Sequence, residues 1–307
     1  MRFRITVLGS GSALPAAGRH HSAQAVNVHE QHYLVDCGEG TQSRLVQYGI
    51  NPMKIKAVFI THLHGDHIYG LFPLISSLEL MGRKTPLQVY APHPLGELME
   101  KMTGLAGEAP PFEVEFHPVD TTRHLCVYEN TTLEVWSVPL RHRIPAAGYL
   151  FREKSPAPNV RKEAIESYGL TIPQILAAKR GEDITAESGR IIPASDITYA
   201  PYRARSYAYI SDTLRSGKVA RLVSGVDVLY HEATFADDEK TLAAQTGHTT
   251  ASQAAKVASD AGAGRLLIGH FSGRYKEVEP LVEQARAIFP ATEAAEEGAS
   301  YEIPLIR

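Results

Sequence analysis

Cysteine is almost missing from this 307-residue chain: Cys37 and Cys126 are the only two, they form no CxxC pair, and neither reads as a metal ligand. A disulfide framework is excluded and a reducing compartment is expected. Long apolar runs are missing too. Met1–Pro15 carries only Ile5–Leu8 as an uninterrupted apolar stretch, too short for a signal-peptide core, and nothing approaches the roughly 18 apolar residues of a membrane span. The expectation is a soluble, cytoplasmic protein with no membrane partner. A large excess of one charge is absent as well, since 31 Lys and Arg stand against 34 Asp and Glu, a formal −3. That balance argues against coating nucleic acid by bulk charge but permits a local basic patch. With 44% hydrophobic and 21% charged residues, the chain has the composition of an ordinary globular protein with a large core.

What is present is an alternation of short apolar strands and amphipathic helices. Phe3–Leu8 reads as a strand ending in the turn-rich Gly9-Ser10-Gly11-Ser12, and Ala25–Val28 with Tyr33–Val35 as a hairpin pair. Further strands are expected at 57–60, 87–90, 133–138, 207–210, 226–230 and 265–268, and helices at 41–48, 68–81 and 250–261. The pattern changes over 152–193, where prolines at 156, 158, 173 and 193 interrupt and charged residues replace a core face. We read this stretch as an inserted arm. Between Arg141 and Arg205 there are eleven Lys or Arg against seven Asp or Glu, a local positive balance suited to an anion-binding element or simply a solvated loop.

The densest chemistry is Thr61-His62-Leu63-His64-Gly65-Asp66-His67, set between the apolar strand 57–60 and the following helix. Neutral imidazoles and carboxylates are natural ligands of Zn²⁺. His62 and His64, two apart on an extended segment, fall on one side of it. Gly65 permits the turn that brings Asp66 and His67 to a second position at a helix start. Four clustered donors exceed the needs of one catalytic metal with an open position, so two metals are expected. The ends of other strands supply His142, Asp212 and His270, and open sheets bind ligands at that edge. Asp36, past the strand 33–35, is placed to brace a ligating histidine. His248 opens the helix 250–261, with Thr249 or Thr250 as its N-cap, and suits either catalysis beside a carboxylate or capping.

The pattern His62-x-His64-x-Asp66-His67, with His142, Asp212 and His270 downstream, resembles the metallo-β-lactamase fold superfamily. Within it, Val7–Pro15, Leu34–Gln42, Ser211-Asp212-Thr213, His231-Glu232-Ala233-Thr234, Gly247-His248-Thr249-Thr250 and Gly269-His270-Phe271 are similar to the ribonuclease Z family of tRNA 3′-processing endonucleases. The resemblance implies one α/β domain over 1–307, an αββα sandwich with a flexible arm at 152–193 that grips tRNA. Thr171-Ile172-Pro173-Gln174 stands where that arm ordinarily carries a Gly-Pro-rich segment, and Gly181-Glu182-Asp183-Ile184 resembles the segment that follows. It further implies two Zn²⁺ per subunit, with Mn²⁺ or other divalent ions able to substitute. His62, His64 and His142 would hold one, Asp66, His67 and His270 the other, and Asp212 would bridge them. Asp66 would also accept a proton, while His248, oriented by Glu232, would stabilise or protonate the departing 3′-oxygen. The expected substrate is precursor tRNA, cut after the discriminator nucleotide to leave a tRNA 3′-hydroxyl and a trailer 5′-phosphate, by a homodimer. The competing expectation is a hydrolase of a small phosphodiester or ester on the same fold. A zinc-stabilised RNA-binding protein without activity fits poorly, because structural zinc sites are usually Cys-rich and closed.

Overall fold

Strands buried on both faces decide the layering, since each sheet then needs a cover on either side. The structure, a computed structural model, describes the chain apart from residues 15, 17, 106–110, 187–188 and 307. In chain order the strands are β1 (Phe3–Gly9), β2 (Ala23–Val28), β3 (Gln31–Val35), β4 (Ile55–Phe59), β5 (Leu87–Ala91), β6 (Val114–Pro118), β7 (Cys126–Glu129), β8 (Leu133–Pro139) and β9 (Ala147–Glu153). Four two-residue strands follow, β10 (Asn159–Val160), β11 (Ile184–Thr185), β12 (Ile191–Ile192) and β13 (Thr198–Tyr199). Then come β14 (Ser206–Ile210), β15 (Val228–Glu232), β16 (Arg265–Gly269), β17 (Thr292–Ala294) and β18 (Ser300–Glu302). One seven-stranded sheet has the order β18-β1-β2-β3-β4-β5-β6 and the other β17-β16-β15-β14-β9-β8-β7.

Phe3, Ile5, Tyr33 and Phe59 from the first sheet pack with Tyr149, Phe151, Tyr207 and Tyr230 from the second, all essentially inaccessible to water. The opposite faces are covered by helices. Leu71, Leu74 and Leu78 of the helix Leu71–Leu80 cover the first sheet, and Ala251, Ala254, Ala255 and Ala258 of the helix Ala251–Ala261 cover the second. The architecture is therefore the expected α/β sandwich of two sheets between two helical layers. The parallel runs β3 to β6 and β14 to β17 present several C-terminal strand ends along one edge.

Three local expectations are corrected. The helix expected over 68–81 is two, Gly65–Ile68 and Leu71–Leu80. They break at Gly70, whose N–H donates to the Cys37 carbonyl at 2.8 Å and whose Cα lies so close to Gly38 that any Cβ would come within 2.0 Å of its oxygen. The strand expected at 226–230 runs instead over Val228–Glu232, so His231 and Glu232 end a buried strand rather than follow it. Of the two candidate caps, Thr250 is the N-cap, in a capping box with Gln253.

Glu153–Arg205, together with Pro304–Arg307, forms a compact unit of its own. It contains the helices Lys162–Tyr168 and Ile172–Lys179 and the ladders β10–β13 and β11–β12. Where charged residues were expected to replace a core, Ala178, Ile184, Ile192 and Ile197 are buried together. The ends of the unit are tied by a buried fork, Arg205 Nε and Nη2 donating to Glu153 at 2.9 and 2.7 Å. Glu153→Ala removes the carboxylate and leaves the guanidinium buried, a change expected to cost about 3–5 kcal/mol. Thermal or denaturant unfolding of the variant measures it.

Candidate metal centre

The chemical residues singled out in the sequence stand at or just past strand ends, apart from His248, which lies between the helices Lys240–Thr246 and Ala251–Ala261. His62 and His64 lie on the segment after β4, and Asp66 and His67 in the first turn of the helix Gly65–Ile68. His142 follows β8, Asp212 follows β14 and His270 follows β16. Asp36, Asp212 and His270 have positive φ angles of 57°, 39° and 59°. Left-handed backbone at non-glycine residues costs of order 1–3 kcal/mol each, and here it turns three side chains inward where extended strands would alternate past the site.

The donors converge in two sets. His62, His64, His142 and Asp212 each offer an atom within 4.8 Å of the others, and so do Asp66, His67 and His270. Asp212 faces both. Its Oδ2 lies 3.4 Å from His62 Nε2 and 3.7 Å from His142 Nε2, while its Oδ1 lies 3.4 Å from His67 Nε2 and 3.1 Å from His270 Nε2. Asp66 Oδ2 is 3.4 Å from both His67 and His270. A third set, Asp212, His248 and His270, also meets the distance condition. His248, however, directs its Nδ1 to Glu232 Oε1 at 3.1 Å.

Two carboxylates govern the imidazoles through matching relays. His67 Nδ1–H donates to Asp36 Oδ2 at 2.7 Å, and His62 Nδ1–H to Thr61 Oγ1 at 3.0 Å, whose hydroxyl donates to Asp36. On the other sheet His248 faces Glu232 directly, and His270 Nδ1–H donates to Thr234 Oγ1 at 2.9 Å, whose hydroxyl donates to Glu232 Oε2 at 2.6 Å. His142 Nδ1–H donates to the Gly247 carbonyl at 2.9 Å. Gly247 ends the helix Lys240–Thr246 with φ +81°, and a Cβ there would come within 2.9 Å of the His142 ring. These bonds fix the tautomers, so that His62, His67, His142 and His270 turn Nε2 toward the centre. Sequence reasoning placed Asp36 and Glu232 but missed Thr61, Thr234 and Gly247 as intermediaries; the tight runs Thr61-His62 and Glu232-Ala233-Thr234 were the available signal.

The donor set suits a divalent metal. Asp66 and Asp212 are 6% and 2% exposed, and among the described residues no Lys or Arg pairs with either. Buried carboxylates need a cation or strong donors, and imidazoles whose second nitrogen is already committed present lone pairs rather than protons. Burial alone would raise the Asp212 carboxyl, but the surrounding histidines, His270 first, hold it well below the usual carboxylate range. Burial likewise opposes charge on Glu232 and His248; their attraction nonetheless lowers Glu232 to about 2 and raises His248 to about 9. A hollow of about 290 Å³ opens over the centre, bordered by His64, Asp66, Asp212, Phe235, His248 and His270 among others.

Asp36→Ala removes the brace on both His67 and His62. Metal affinity should fall about 10- to 100-fold, read by competition with a chromogenic chelator. Unchanged affinity would mean that packing alone orients the rings.

Comparison with known proteins gives the family. A family model described as anti-Pycsar protein Apyc1 matches residues 3–144. The chain is 42% identical over 295 residues to a ribonuclease Z of Porphyromonas gingivalis, covering 96% of this chain and 97% of that one. It is 40% identical over 296 residues to the ribonuclease Z of Parabacteroides distasonis, again over 96% and 97%. Among solved structures, human tRNase Z, short form, superposes with a TM-score of 0.71 at 24% identity over 98% of this chain and 99% of that one, which attests the fold. On the strength of its full-length relatives, the chain belongs to the ribonuclease Z family.

Proposed function

We propose that this protein is a metal-dependent endoribonuclease that removes the 3′ trailer from precursor tRNA. It hydrolyses the phosphodiester after the discriminator nucleotide, leaving a 3′-hydroxyl on the tRNA and a 5′-phosphate on the trailer. The observation that carries the reading is Asp212, one carboxylate facing two donor sets with an oxygen toward each, in a chain of this family. His62, His64 and His142 are assigned to one metal and Asp66, His67 and His270 to the other, with Asp212 shared. Zn²⁺ is the proposed ion at both, and Mn²⁺ fits the same donors. When bound, such a pair of metals makes water nucleophilic near neutral pH and stabilises charge on the attacking and leaving oxygens.

The chain's own residues do the rest. Asp66, at a helix start and beside His270, orients and accepts the proton of the attacking water. His248, held by Glu232 through Nδ1, keeps Nε2 available to donate to the departing 3′-oxygen. The arm expected at 152–193, all but its first residue within the unit Glu153–Arg205, is assigned to tRNA contacts on the positive balance of the wider stretch 141–205. We further assign the protein to the cytoplasm as a homodimer; no helix among the described residues is long and apolar enough to cross a membrane.

Incubating the protein with a 3′-extended tRNA precursor, with and without chelator, and sequencing the new end tests the reading. A single metal-dependent cut after the discriminator is expected; its absence under metal-replete conditions would redirect the centre to a small phosphodiester or ester. Shortening the arm should lower tRNA cleavage by about tenfold or more while hydrolysis of a small aryl phosphodiester persists, since backbone contacts add binding rather than chemistry.

A further inference from the structure

Beside the centre lies a second hollow, of about 670 Å³, that the mechanism above does not use. Its wall includes Thr121, Thr122, Arg141, His142, Arg143 and Lys218, and no Asp or Glu. Arg141, Arg143 and Lys218 are exposed, and among the described residues none of the three side chains makes a hydrogen bond or ion pair. Elsewhere on the surface Arg215, Arg265, Arg274 and Arg286 each pair with a carboxylate, while Lys56, Lys84 and Lys256 are exposed without an ion pair among the described residues; what sets Arg141, Arg143 and Lys218 apart is that all three border one hollow. Three unpaired cations around one concavity repel one another and attract an anion from solvent.

Their position says which anion. Arg143 borders this hollow, the 290 Å³ hollow over the centre and a third, of about 280 Å³, lined by His64, Asp66 and Tyr69. Among the described residues it is the only one shared by the first two. His142, one residue before it, is an assigned metal ligand. A chain of phosphates whose scissile member sits at the centre must therefore pass Arg143 to enter the basic hollow. If His248 serves the departing 3′-oxygen as proposed above, the tRNA's terminal nucleotide falls in the hollow lined by His248 and Phe235, and the 5′-oxygen side of the phosphorus leads away from it.

We propose that Arg141, Arg143 and Lys218 form a phosphate-binding groove that holds the trailer strand of the substrate just beyond the scissile bond. The proposal rests on the ribonuclease reading above and adds to it a site for the product that is discarded. The cations act on backbone charge and carry no base preference, so trailers of any sequence fit.

Binding is measured by fluorescence anisotropy on the metal-loaded protein with two ligands: one tRNA carrying a long trailer through a non-hydrolysable 3′-methylene phosphonate at the scissile position, so that no cleavage intervenes, and the same tRNA ending at the discriminator. The triple variant R141A/R143A/K218A should lose about tenfold or more in affinity for the trailer-bearing tRNA, and its log affinity should fall less steeply with log salt by about 2, given roughly 0.7 per neutralised phosphate of a single strand. The trailer-free tRNA should change by less than about twofold. The double variant R141K/R143K should keep the wild-type slope, because the charge rather than the guanidinium shape is required. Equal losses on both ligands would overturn the proposal, placing these cations on the tRNA body, and so would an unchanged salt slope. If the wild-type protein cuts precursor after the discriminator and the variant binds as it does, only the groove fails. If the wild-type protein makes no such cut, the ribonuclease reading and the groove fail together.

Discussion

Asp212→Ala is expected to lose at least half of its bound metal and to cleave precursor tRNA about a thousandfold more slowly, the equivalent of roughly 4 kcal/mol of transition-state stabilisation. The effect is large because the two oxygens of this one carboxylate face different histidine pairs, His62 with His142 and His67 with His270. Among the described residues no neighbour is placed to substitute: Asp66 faces only the second pair, and Glu232 is engaged by Thr213, Thr234, His248 and Thr249. Asp212→Asn, which keeps the volume and removes the charge, should behave almost as badly, whereas a simple packing role would predict near-normal behaviour. Metal content by elemental analysis and single-turnover cleavage are the measurements. Retained metal with cleavage within about twofold of wild type would remove Asp212 from the shared position.

His248→Ala is expected to keep its metal and lose about 10²- to 10⁴-fold in turnover, the range for a positioned general acid. The ring borders the hollow over the centre, and Glu232 holds its Nδ1 while sustaining its positive charge. The loss should appear in kcat with little change in KM, because a proton delivered to the departing oxygen acts only in the transition state. A second readout separates proton donation from simple packing. On an aryl phosphodiester, whose leaving group departs without protonation, the penalty should shrink to less than about tenfold. Equal losses on both substrates would assign His248 to binding or to the metals.

Much of this centre was legible because its residues cluster at strand ends, and strand ends are readable from short apolar runs. His62 to His67 needed no long-range information. His142, Asp212 and His270 each followed a recognisable strand, so a single rule found all three. Other features depend on what the chain meets in three dimensions. The break at Gly70 comes from contact with Gly38, more than thirty residues away in sequence, and no local pattern records it. β9 escaped notice although Ala147–Phe151 is wholly buried, because Pro145 precedes it and the charged Arg152-Glu153-Lys154 follow. The small core of the inserted unit is spread over isolated apolar residues such as Ala178, Ile184 and Ile197, too sparse for a periodic signal. Arg143 stands in no motif, and only its place beside three hollows sets it apart.

The division of donors between the sheets has a further consequence. His62, His64, Asp66 and His67 hang from the first sheet, while His142, Asp212 and His270 hang from the second, so each assigned set draws on both. An ion held by either set is then a clasp between the two halves of the sandwich, and its binding free energy becomes unfolding free energy. At free metal a hundredfold above the dissociation constant that linkage contributes about 2.7 kcal/mol per site, provided the unfolded chain binds none. The melting temperature of this protein is in that sense a gauge of metal supply: a cell short of the ion would lose the enzyme itself, by unfolding and proteolysis, as well as its turnover.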